Sequence, residues 1–149
     1  MTKHISTLAR LLLGAAMFTF GLNGFLGFLP AQPAPTPEGG AFLGALAATG
    51  YMFPLIKGTE VAVGALLLSG RFVPLALVLL APVTVNILAF HALLSPGLAL
   101  PLVLVALQLY LAYAHREAYR GVLAARPVGE PATVLALPAA QPAPLRNAA

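Results

Sequence analysis

The sequence predicts an all-α fold, a transmembrane four-helix bundle with antiparallel neighbours and a short interfacial helical segment before the second span. Three observations carry this. Of the 149 residues 60% are hydrophobic and only 8% charged, against about 25% charged in a soluble domain. Four stretches are apolar enough to cross a hydrocarbon core of about 30 Å, which takes roughly 20 residues of helix. Seven of the eight Lys and Arg residues fall on one side of a chain threaded four times.

The first span covers about 5–29, ISTLARLLLGAAMFTFGLNGFLGFL. Its basic start fits a signal peptide, but the apolar run exceeds the usual h-region of about 7–15 residues, and LPAQPAPTP follows it where cleavage would fall. It therefore reads as a retained helix. The loop PAQPAPTPEGG stops that helix with prolines and glycines. Residues 41–50, AFLGALAATG, are apolar but too short to span, and read as an interfacial or re-entrant helical turn at the bundle mouth. The second span is about 51–70, the third 72–94 and the fourth 98–116. Gly70-Arg71 and Ser95-Pro96-Gly97 are tight connections, so neighbouring helices run antiparallel. Residues 1–121 thus form one membrane domain. Residues 122–149, Ala/Pro-rich and without periodicity, read as a disordered cytoplasmic tail.

Orientation follows from the cations. Lys3, Arg10, Arg71, Arg116, Arg120, Arg126 and Arg146 share one side, and the opposite loops carry only Glu38. The positive-inside bias places both termini in the cytoplasm; the expected location is a bacterial inner membrane. The basic balance reflects that asymmetry, and no nucleic-acid partner is expected.

The eighth cation, Lys57, lies inside the second span, one helical turn before Glu60. On insertion scales the two charges cost about 5–7 kcal/mol, and the apolar residues around them return roughly 2–5. The segment needs a partner. At 1.5 Å per residue, Glu60 falls within about 2 Å of the midplane. Asn86, Lys57, Asn23 and His91 follow in the outer half, with Gln108 near the floor. Lys57, Glu60 and Gly64 share one helical stripe. The expected network has Lys57 and Glu60 facing the interior, held by each other and by Asn86, with Asn23 or Gln108 completing it.

Each candidate also has a plainer reading. The three amides serve as interhelical glue, Lys57 snorkels to the interface, and His91 sits among interfacial residues. Glu60 is too short to snorkel. With no Cys, thiolate metal sites and iron–sulfur clusters are excluded within this chain. His91 and His115 fall near opposite faces and cannot be axial ligands of one haem. No metal site is expected, and no nucleotide-binding glycine pattern or nucleophile elbow is present.

Three blocks carry a family resemblance: Arg10-Leu11-Leu12-Leu13-Gly14 with FGLNGF at 20–25, GYMFPLIKGTEVAVGALLLSGRF at 50–72, and APVTVNILAFH at 81–91. Over about 7–118 the chain resembles the DoxX family of small four-helix membrane proteins. The resemblance carries over Glu60, Arg10 and Asn86 as matching positions. Gly24 stands where many relatives have Lys, and Lys57 is the less typical cation. The resemblance implies an accessory or quinone-interacting subunit of a membrane redox system, with quinone or another small lipophilic molecule as ligand and a membrane redox subunit as partner. No redox centre is encoded, so electrons would come from that partner or from the ligand. Two other readings stand beside it: a small proton-coupled transporter in which Glu60 titrates, and an assembly factor without activity of its own. The oligomeric state stays open.

Overall fold

The computed structural model describes residues 2–30 and 35–123. One compact unit, Met1–Tyr119, holds every described helix; a second unit begins at Arg120, and only residues 120–123 of it are described. The expected disorder of the tail concerns residues that, from 124 on, lie outside the described ones.

Among the described residues five α-helices follow in order: α1 Thr2–Leu26, α2 Pro37–Ala48, α3 Met52–Ser69, α4 Val73–Leu93 and α5 Ala99–Ala114. No strand occurs among the described residues. Helices α1, α3 and α4 are long and apolar enough to cross a membrane. The fourth expected span is shorter than its sequence range: α5 has 16 residues, about 24 Å of helix at 1.5 Å per residue.

The helix ends have local causes. Asn23 terminates α1, its Oδ1 accepting the Leu29 amide at 2.7 Å while its carbonyl accepts from Gly27 at 2.8 Å. That ends the helix three residues before the expected boundary at 29. The short segment before the second span starts earlier than expected, at Pro37 rather than 41. Thr36 is its N-cap and accepts the Gly39 amide on Oγ1 at 3.1 Å, Pro37 opens the first turn, and Glu38 complements the positive end of the helix dipole. Residues 37–40, assigned above to a loop, are helix-starting residues. At the far end of α3, Gly70 adopts the left-handed conformation at φ 72° that suits a residue without Cβ, and its N–H returns to the Leu66 and Leu67 carbonyls.

Helix α1 packs against α3 and α5, and α4 packs against the same two. The α1–α3 pair is antiparallel and close: Gly14 lies on Leu67 and Leu68, Gly64 on the Phe18 backbone, Gly21 on Glu60 and Val61, and Gly24 on the Lys57 stem. Leu13, Met17, Val63, Leu67, Ala76, Leu80 and Leu111, from four helices, form the fully buried core. Tyr119, in a 3-10 turn at Arg116–Tyr119, donates its hydroxyl to the Pro74 carbonyl at 3.2 Å. This packing gathers Arg10, Arg71 and Arg116 at one end of the unit. At the other end, the Thr36 amide and hydroxyl both donate to the Leu94 carbonyl at 3.1 Å, and the Phe42 and Phe90 rings lie 5.9 Å apart. Those contacts seat α2 on the end of α4.

Candidate functional site

The site is built on α3 and shaped by α1. The i, i+3 spacing places Lys57 and Glu60 on one stripe, and the Lys57 ammonium donates to both Glu60 oxygens, at 3.1 Å to Oε1 and 2.9 Å to Oε2. Glu60 is 2% exposed and the Lys57 side chain 22%. Glycines on α1 make this burial possible. A Cβ at Gly24 would meet Lys57 Cγ and Cδ at 2.5 Å, and one at Gly21 would meet the Val61 amide nitrogen at 2.8 Å. The absent side chains leave room for the lysine stem to lie flat against α1, with its head turned back onto Glu60. Lys57 therefore spends its charge on its neighbour instead of snorkelling outward.

Lys57 is also the polar wall of a cleft of about 330 Å³ at the α2 end, completed by Gly24, Phe25, Ala47, Gly50, Phe53 and Pro54. The remainder of the lining is apolar, with two aromatic rings. An ammonium has three donors, and two of them lie on Glu60. The third is left for an acceptor in the cleft.

The other expected members do not join this pair. Asn86 is exposed and donates Nδ2 to the Pro82 carbonyl of its own helix at 2.9 Å. Asn23 caps α1. Gln108 is buried between α4 and α5, where Nε2 donates to the Leu77 carbonyl at 2.9 Å and Oε1 accepts from the Thr84 hydroxyl. His91 donates Nδ1–H to the Ile87 carbonyl at 2.9 Å, and His115 does the same to Leu111 at the opposite end of the unit. The expected network of Lys57, Glu60 and Asn86 with Asn23 or Gln108 is thus resolved into separate arrangements: the ion pair, and three amides each bonded elsewhere. The reason is rotational: depth along the helices placed these residues at similar levels, but only Lys57 and Glu60 share both level and face. Among the described residues no group of three His, Asp or Glu side chains comes together.

Two residues matter more than their sequence context indicated. Thr84 is buried and ties α4 to α5 through Gln108, its one hydroxyl hydrogen shared between Gln108 Oε1 and the Leu80 carbonyl 2.8 Å away. Its spacing from Leu77 and Leu80 on the buried stripe of α4 is the signal that could have found it. Arg10 reaches from α1 to the end of α3, where Nη1 donates to the Leu67 carbonyl and, at 3.1 Å, to that of Leu68. It is a clamp on a helix C-terminus, where the dipole favours positive charge.

Fold and site together define an all-helical protein with three helices able to cross a membrane and a buried ion pair on the middle one. No family model, curated protein or solved structure matches the chain.

Proposed function

We propose that the chain is a four-span inner-membrane protein of the DoxX-like type, an accessory subunit of a membrane redox system, and that the cleft beside Lys57 receives the head of a small lipophilic acceptor such as a quinone. One observation carries the reading: an ammonium held on a buried carboxylate forms the polar wall of an otherwise apolar cleft. The packing of the apolar helix α5 on α1 and α4 supports a fourth crossing.

The ligand class follows from the charges. Lys57 and Glu60 neutralise each other, so the site offers a hydrogen-bond donor without net charge. A carboxylate or phosphate beside Lys57 would be repelled by the Glu60 charge behind it, whereas a neutral carbonyl accepts the third ammonium hydrogen without that repulsion. Phe25 and Phe53 supply apolar walls for a flat ring. The cleft volume is at the low end of the range of about 300–1,000 Å³ common for small-molecule sites, which suits a head group with its tail in lipid. A quinone, when bound, supplies the electron-carrying chemistry. This chain's own part is to orient one carbonyl and exclude anions.

The test is titration of the purified full chain in nanodiscs with a short-chain ubiquinone analogue. Saturable binding is expected, and the double substitution Lys57→Met with Glu60→Gln should abolish it while leaving the fold intact. A wild-type protein that shows no saturation, or a folded double variant that binds as tightly as wild type, would defeat the reading.

A further inference from the structure

Helix α4 carries two opposed apolar faces. One, running through Val73, Leu77, Leu80 and Thr84, is buried against α3 and α5. The other runs through Leu75, Leu79, Pro82, Asn86, Ala89 and Leu93, every one of them exposed. The intervals are four, three, four, three and four residues. This is the heptad period of 3.5, the spacing that keeps one seam against a second helix along a left-handed crossing.

Asn86 lies in the middle of that seam. One of its amide hydrogens goes to the Pro82 carbonyl. Its Oδ1 and its second amide hydrogen have no partner among the described residues, although no buried side-chain polar atom there is left unpaired. If α4 spans the membrane, an unpaired amide faces hydrocarbon, where each unsatisfied polar group is costly. The Asn86 side chain is exposed and points outward.

We infer that the exposed seam of α4 is a homodimer interface in which Asn86 pairs with Asn86 of a second copy. Symmetry selects the occupant. Two copies inserted with the same orientation are related by a two-fold axis along the membrane normal, so their α4 helices run parallel and each seam residue meets its own counterpart. A charged side chain would then face its own charge with nothing to exchange. An amide is both donor and acceptor, so two Asn86 side chains satisfy each other. A single Asn in an apolar heptad seam also sets register and oligomeric state. The inference rests on α4 crossing the membrane and not on the ligand proposed above.

The test uses single-Cys variants of the full chain, which has no native Cys. Leu79→Cys and Ala89→Cys should form disulfide dimers on mild oxidation in membranes, since bridging requires Cα atoms within about 7 Å. Leu12→Cys on α1 and Leu109→Cys on α5 are exposed, at 52% and 66%, but off the seam, and should remain monomeric. Asn86→Leu should weaken the dimer about 3- to 30-fold in dissociation constant, as expected for losing an interhelical side-chain bond in a membrane. Asn86→Gln should keep most of it. Equal cross-linking on and off the seam, or an Asn86→Leu protein with unchanged association, would overturn the dimer and leave the seam to lipid or another protein. Ser95→Cys and Ser69→Cys, at opposite ends of the helices, check the premise. Labelling of both from one side would overturn the crossing of α4 and the dimer with it; opposite labelling without seam cross-links would overturn the dimer alone.

Discussion

Lys57 and Glu60 are charges inside an apolar helix and Arg10 lies at that helix's C-terminal end, and each is tied to a group of opposite character. For the pair on α3, removing one partner strands the other in low dielectric. Loss of one member of a fully buried pair costs about 3–5 kcal/mol. Lys57 keeps about a fifth of its exposure, so the lower end of that range is expected for Lys57→Met or Glu60→Gln alone. The double variant should recover most of the loss. Thermal unfolding of the three proteins in detergent reads the contrast, and a double variant less stable than both singles would show that the charges are held by more than each other. Arg10 gives a separate prediction. Hydrogen bonds to charged groups contribute about 1.5–3 kcal/mol, so Arg10→Met should cost about 2 kcal/mol in the same unfolding assay. Arg10→Lys should recover only part, because a point charge lacks the planar fork of the guanidinium.

At the scale of the element, the α1–α3 pair depends on glycine as a spacer. A Cβ at Gly64 would lie 2.5 Å from the Phe18 amide nitrogen and 2.7 Å from its Cα. Backbone atoms cannot yield as a side-chain tip can. Gly64→Val should therefore separate the helices and cost about 1–3 kcal/mol or more. Gly58 is on the same helix with nothing near its missing Cβ. There Gly58→Ala should be neutral or stabilising by up to about 1 kcal/mol, since alanine is the better helix former. Equal effects at the two positions, measured by unfolding in one detergent, would mean that helix propensity rather than close approach sets the role of Gly64. Gly21 and Gly24 are three residues apart on one face of α1, with Gly14 a little off that line, and small residues so spaced are the sequence signal of a close helix approach. The start of α2 was equally available in Thr36-Pro37-Glu38, which is a helix-start sequence. It was hidden by reading prolines only as helix breakers.

For the whole molecule, the packing puts Arg10, Arg71 and Arg116 at one end and α2 at the other. A chain threaded four times then exposes the two ends to opposite sides of the membrane. Single-Cys probes at Gly40 and Ser95 should label together from outside the cell, and one at Ser69 only after permeabilisation. Gly40 has open space at its missing Cβ, so a side chain there disturbs nothing, whereas Thr36 caps α2 and would report a damaged helix. Labelling of Gly40 and Ser95 from different sides would contradict four crossings.

Helix content and the approximate spans are legible in composition and order along the chain, because long continuous apolar runs satisfy their backbone polar groups as helices, and the asymmetry of cations is legible in the same order. Depth was readable in the same way, since each residue advances a helix by a constant rise. Azimuth was not. Whether Asn86 faces a neighbour or the outside, whether Gln108 meets Lys57 or Thr84, and whether Arg10 finds the end of α3 depend on how each helix is rotated about its own axis. That rotation is set jointly by the close approach of α1 to α3 at their glycines and by the leucines of four helices filling one core. It is a property of contacts between segments far apart in sequence, which no single segment carries.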